Sequence, residues 1–110
     1  SGTALATSAV LATIAEMKRI GAPSRAVKQG ARLRTGLESM PSVASVRGFG
    51  LLLGAQLVDG VDAKSMQMKL LDAGLVTNAV TPTALRFAPP LNVSTDHIDE
   101  ALAILREVLS

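Results

Sequence analysis

Residues 43–58 read Val-Ala-Ser-Val-Arg-Gly-Phe-Gly-Leu-Leu-Leu-Gly-Ala-Gln-Leu-Val. Two short apolar runs, 43–46 and 51–58, predict strands. Gly48, Gly50 and Gly54 lie between and within them, where strand glycines mark bulges or the close approach of another backbone. A nucleotide-binding loop is the competing reading, and it misses in detail. The dinucleotide fingerprint needs its third glycine three residues after the second and a helix opening in the loop. Here the spacing is one residue too long, a β-like run follows, and no Lys-Ser or Lys-Thr pair closes the loop. A strand pair joined by a short turn is therefore the expectation.

Downstream, Asp59-Gly60 is a turn. Asp62 is the expected N-cap of a helix ending at Ala73, with Met66, Leu70 and Ala73 facing inward and Gly74 as its left-handed terminator. Residues 75–80 predict a third strand, and Thr81-Pro82 a turn. Residues 84–88 predict a fourth strand, stopped by Pro89-Pro90, which cannot donate ladder hydrogen bonds. Ser94 or Thr95 caps a last helix with the stripe Ile98, Ala101, Leu102, Leu105 and Val108. Upstream, residues 3–20 lack Gly and Pro and predict a helix. Its apolar stripe is too wide for a one-sided surface helix, so part of it should be exposed or covered by a neighbour. Gly21 stops it, and Pro23-Ser24 opens a second helix whose inner face is Val27, Gly30, Leu33, Leu37 and Met40, ended by Pro41. The order is αα-ββ-α-ββ-α over a single domain, residues 1–110. Strand pairs separated by short turns favour antiparallel pairing, so the expected fold class is α+β, a small mostly antiparallel sheet covered by helices.

The chain of 110 residues is 48% hydrophobic, enough for one core, but only Phe49 and Phe87 are aromatic. Stacking platforms for single-stranded nucleic acid are therefore lacking. With 11 basic against 9 acidic residues the charge is nearly balanced. Lys18, Arg19, Arg25, Lys28, Arg32 and Arg34 read as solvated helix faces rather than a phosphate-binding stripe, so no nucleic-acid partner is expected. The lack of cysteine excludes disulfides and Cys-based zinc sites and is compatible with a cytoplasmic protein. No apolar run approaches the ~20 residues of a membrane span, so no membrane partner is expected.

Few residues invite chemistry. His97 is the only histidine and has no second ligand of its kind, which favours a solvated residue at a helix start over a metal ligand. Asp96, Asp99 and Glu100 suit the positive end of that helix, which explains them without acid–base catalysis. Arg86 is different. Alternation along Leu85-Arg86-Phe87 places it on the face opposite two apolar neighbours. By residue type alone an ordinary exposed strand arginine is favoured. A guanidinium held rigidly before two prolines is also a suitable bidentate carboxylate clamp.

Three ordered motifs carry a resemblance that covers essentially the whole chain. They are Val46-Arg47-Gly48-Phe49-Gly50-Leu51-Leu52-Leu53-Gly54, then Ala73-Gly74-Leu75-Val76-Thr77-Asn78, then Leu85-Arg86-Phe87-Ala88-Pro89-Pro90-Leu91. A helix opening Ser94-Thr95-Asp96-His97-Ile98-Asp99-Glu100 follows. Together they resemble the C-terminal domain of class III aminotransferases of the acetylornithine and ornithine type, acting in arginine biosynthesis.

The resemblance implies the C-terminal small domain of pyridoxal-phosphate (PLP) fold type I, closing over substrate against a large domain of the same polypeptide. It implies that Arg86, in an Arg-x-x-Pro-Pro motif, binds the carboxylate of a small amino-acid substrate, and that the full-length protein is a homodimer. No lysine of this chain matches the family's Schiff-base position, and Gly2-Thr3-Ala4 stands where the family usually has Gly-Asn-Pro. PLP is therefore expected in the full-length parent and not on this fragment, which should not be catalytic alone. A stand-alone α+β binding or regulatory module remains the alternative.

Overall fold

The computed structural model describes residues 24–109. The helix expected over residues 3–20, with its exposed apolar surface, lies outside the described residues. Seven elements follow: α1 (Ser24–Glu38), β1 (Val43–Phe49), β2 (Leu52–Leu57), α2 (Ala63–Asp72), β3 (Asn78–Thr81), β4 (Ala84–Phe87) and α3 (Thr95–Leu109). The four strands form one antiparallel sheet in the order β1-β2-β4-β3. The α+β expectation holds, with the order α-ββ-α-ββ-α among the described residues.

Alternation along the strands divides the sheet. Val46, Leu53, Ala55, Leu57, Leu85 and Phe87 are buried on one face, in a single core with Leu33 and Leu37 of α1, Leu70 of α2, and Ile98, Leu102 and Leu105 of α3. The other face carries Arg47, Leu52, Gly54, Gln56, Ala84 and Arg86, none of them buried. All three described helices thus lie in one layer, and the outer sheet face has no layer over it among the described residues.

Turn chemistry sets the element ends. Asp62 accepts a hydrogen bond from the Ser65 amide at 2.9 Å and caps α2. At the other end Gly74, at φ 100, lets its own amide reach the Leu71 carbonyl (3.0 Å) and the Leu75 amide reach the Leu70 carbonyl (2.8 Å). That pair of bonds is a Schellman terminator. Ser94, rather than Thr95, caps α3: its hydroxyl oxygen accepts from the His97 amide at 3.1 Å.

Two strand boundaries differ by three residues from the sequence expectation, and the other strand ends by at most one. The first strand runs on to Phe49, because Arg47, Gly48 and Phe49 find ladder partners in Gly54, Leu53 and Leu52. The third strand begins at Asn78 rather than at residue 75. With Asn78 opposite Arg86, continuing the register would set Leu75 against Pro89, which has no amide hydrogen to give.

The β1–β2 hairpin turns through Gly50-Leu51, with positive φ (60°) only at Gly50, the pattern of a type II′ turn. Helix α1 grips this hairpin at two points one helical turn apart. A Cβ on Gly30 would lie 2.7 Å from the Gly50 carbonyl oxygen, so helix and turn touch backbone to backbone. Four residues on, Arg34 is only 4% exposed and donates to the Val46 carbonyl at 2.9 Å and the Gly48 carbonyl at 3.0 Å. Reading Arg34 as part of a solvated face is corrected by this burial. It lies on the same face of α1 as Gly30 and Leu37, and its charge is solvated by strand carbonyls instead of water. A Gly30→Ala substitution is expected to destabilise the fold by about 1–3 kcal/mol, since neither backbone can yield without moving the helix off the sheet. A lowered thermal midpoint would record it, and an unchanged midpoint would count against the tight contact.

Candidate functional site

Strand β4 lies between β2 and β3, so its backbone is fixed on both sides. Leu85 and Phe87 point into the core, and Arg86 between them points out of the opposite face. Residues directly opposite in an antiparallel ladder share a face. The register puts Arg47, Gly54, Arg86 and Asn78 in one row across all four strands. Beyond β4 the chain passes through Pro89-Pro90 into a turn closed by the Val93 amide on the Pro90 carbonyl at 3.0 Å. Val93 is buried there. The strand end carrying Arg86 is therefore held by the sheet before it and by a proline-stiffened turn after it.

Arg86 is exposed, and its guanidinium has no hydrogen-bond or ion-pair partner among the described residues. A guanidinium presents two parallel N–H donors matched to the two oxygens of a carboxylate. The row around it is open: Gly54 offers no side chain on one flank and Asn78 a neutral amide on the other. The arrangement suits binding and orientation of an anion; no nucleophile or general base accompanies it in the row.

The remaining charged groups lie elsewhere. Arg32 of α1 and Asp99 of α3 form a two-pronged pair at 2.6 and 2.9 Å on the helical layer. The hydrogen bond from Arg32 holds the Asp99 carboxyl below its ordinary range. Asp99 is thus a structural partner of Arg32, a role that the helix-end electrostatics alone did not reveal. His97 is exposed in the first turn of α3, and the described residues contain no cluster of three or more metal-ligating side chains. An apolar cleft of about 390 Å³, bounded by Leu33, Val76, Phe87, Pro90, Val93 and Ile98 among others, opens on the helical side of the sheet and does not include Arg86.

Lys28, Lys64 and Lys69 are exposed on α1 and α2, both packed on the core face of the sheet, opposite Arg86. No described lysine shares the outer face with Arg86, so the described residues do not fit a cofactor that needs an amine for a Schiff base there. Lys18 lies outside the described residues. Among those described, no helix is long and apolar enough to cross a membrane.

Sequence comparison places these features among known proteins. The family described as Aminotransferase class-III matches residues 1–109. The acetylornithine aminotransferase of Caldanaerobacter subterraneus is 41% identical over 99% of this chain and 28% of its own length. The [LysW]-aminoadipate semialdehyde transaminase of Deinococcus radiodurans is 32% identical over 99% of the chain and 26% of its own length. Among solved structures, N-acetylornithine aminotransferase from Stenotrophomonas maltophilia superposes with a TM-score of 0.71 at 32% identity, covering 77% of this chain and 25% of that one. The chain spans about a quarter of the length of the curated relatives it matches.

Proposed function

The chain belongs to the class III aminotransferases, and from that membership we propose that it is the C-terminal, substrate-closing domain of an acetylornithine- or ornithine-type aminotransferase. The parent would transfer an amino group between the ω-amine of an ornithine derivative and 2-oxoglutarate, in arginine biosynthesis. The observation that carries this reading is Arg86. Among the described residues it is an unpartnered guanidinium in the centre of a sheet face with no layer over it, in the Arg-x-x-Pro-Pro stretch that the family resemblance assigns to a substrate carboxylate.

The family's cofactor, pyridoxal phosphate, supplies an electron sink at the carbon bearing the transferred nitrogen. This chain's own residues do something simpler. Arg86 takes the carboxylate in two parallel hydrogen bonds, which fixes both the position and the roll of the substrate. Holding the substrate this way replaces a search over orientations by a single geometry. The paired strands on either side of β4 and the Pro89-Pro90 turn keep the clamp from drifting.

The share of the relatives that the chain spans supports a part of a larger polypeptide over a free-standing module. The large domain of that polypeptide, a homodimeric assembly and a cytoplasmic location belong to the same proposal. Assay of the full-length protein tests it: with PLP and 2-oxoglutarate, N-acetylornithine or ornithine should yield glutamate and the matching semialdehyde. Turnover of neither, under conditions where another ω-amine reacts, would remove the ornithine-derivative assignment.

A further inference from the structure

The row that holds Arg86 contains a second cation. Arg47 of β1 pairs with Gly54 of β2, and Gly54 pairs with Arg86 of β4. The two arginines therefore stand on one face with a single residue between them, their Cα atoms two strand spacings apart, about 10 Å. Both are exposed, and neither guanidinium has a partner among the described residues. On the other flank of Arg86 stands the neutral Asn78, so the positive field is strongest over Gly54.

Gly54 itself lacks a local explanation. Its backbone is outside the left-handed region. Among the described residues a Cβ built on it would meet only the Arg47 and Leu85 carbonyl oxygens, both at 3.9 Å, which is ordinary contact. Gly30 and Gly48 are different, since a Cβ there would strike backbone at 2.7 and 2.2 Å. Neither φ nor packing among the described residues excludes a side chain at position 54. A glycine in the interior of a central strand otherwise marks the close approach of a ligand or another backbone.

We propose that the substrate carboxylate sits over Gly54, bridged between Arg86 and Arg47. In this arrangement Arg47 is a second carboxylate-binding residue, and Gly54 is the open floor that admits the group. The inference rests on the reading of Arg86 as the carboxylate clamp and names what completes that site. One carboxylate between two guanidiniums compensates both charges at once, and the missing side chain at position 54 lets its oxygens reach both donors.

The test uses the full-length, PLP-loaded enzyme at saturating 2-oxoglutarate, so that the acceptor's own carboxylates limit neither arm, and two donors: N-acetylornithine, and N-acetylputrescine, the same amine without the carboxylate. Arg86→Gln serves as the reference. Arg47→Gln should raise KM for N-acetylornithine about tenfold, the effect of one charge-assisted contact. It should leave kcat, cofactor content and the reaction of N-acetylputrescine unchanged. Arg47→Lys should recover part of the loss. Gly54→Val should raise the same KM selectively, and Gly54→Ala should do so more weakly with an unchanged thermal midpoint. If Arg86→Gln is selective for the carboxylate while Arg47→Gln and Gly54→Val are not, the second anchor is wrong and the clamp stands. Loss of cofactor from Arg47→Gln, or equal damage to both donors, also overturns the inference. If Arg86→Gln itself fails to discriminate the donors, the clamp falls and this inference with it.

Discussion

Arg86→Ala in the full-length enzyme is expected to lower kcat/KM for carboxylate-bearing amino donors by about 30- to several-thousand-fold. The figure follows from the cost of truncating one partner of a desolvated charge pair, about 2–5 kcal/mol, at ~1.4 kcal/mol per tenfold. Desolvation is the condition that matters. In the described domain Arg86 is exposed, and an exposed ion pair contributes little. The large effect requires that the closed enzyme exclude water from the outer sheet face once substrate is held. Arg86→Lys should recover only part of the loss, because an ammonium cannot present two parallel donors. A matched amine without the carboxylate should be nearly indifferent to either substitution. Equal damage to both kinds of donor would make Arg86 a structural residue of the sheet.

Loss of Arg34 should be the largest stability effect in the domain outside its apolar core. The side chain is 4% exposed and has no carboxylate partner among the described residues; the carbonyls of Val46 and Gly48 accept from it at 2.9 and 3.0 Å. Arg34→Ala removes both charge-assisted bonds, strands two acceptors beneath α1, and opens a cavity. The expected loss is about 2–4 kcal/mol. Arg34→Met refills most of the stem volume without the donors and should lose less. Hydrogen exchange is the discriminating measurement, because it separates local opening from global unfolding. Amides of the β1–β2 hairpin should lose protection in Arg34→Ala before those of β3 and β4. Unchanged protection of the hairpin, with an unchanged thermal midpoint, would show that Gly30 and the core hold the hairpin without Arg34. The functional consequence should be modest and indirect, since the strand segment that Arg34 grips is the one that presents Arg47.

The described helices, the turns and the inward stripes of α1 and α3 were legible in the sequence because they depend on residues within four or five positions of each other; of the stripe expected on α2 Leu70 is buried, whereas Ala73 caps the helix and is exposed. Asp62 and Gly74 bracket α2, and Gly50 sets the hairpin turn. The alternation of Leu85, Arg86 and Phe87 tells which of the three faces away from the core before any partner strand is known. Arg34 was misread for the converse reason. Its place on the Gly30–Leu37 stripe was present in the spacing, but its residue type argued for water. Only the carbonyls of a strand twelve and fourteen residues away make its burial affordable. The pairing of Arg32 with Asp99, 67 residues apart, had no sequence signal of its own.

The amino-acid sequence by itself thus determined the order of the described elements, the outward direction of Arg86, and the family resemblance from which the proposed role of this arginine is drawn. Tertiary structure decided the register. The row of Arg47, Gly54, Arg86 and Asn78 exists because β2 pairs with β4 across the α2 crossover. A shift of one residue would turn Gly54 into the core and bring Leu53 or Ala55 out beside Arg86. Local propensity is indifferent to that shift. What fixes it is the burial of Leu53, Ala55, Leu85 and Phe87 against the three described helices, a condition met only when sheet and helices have packed together.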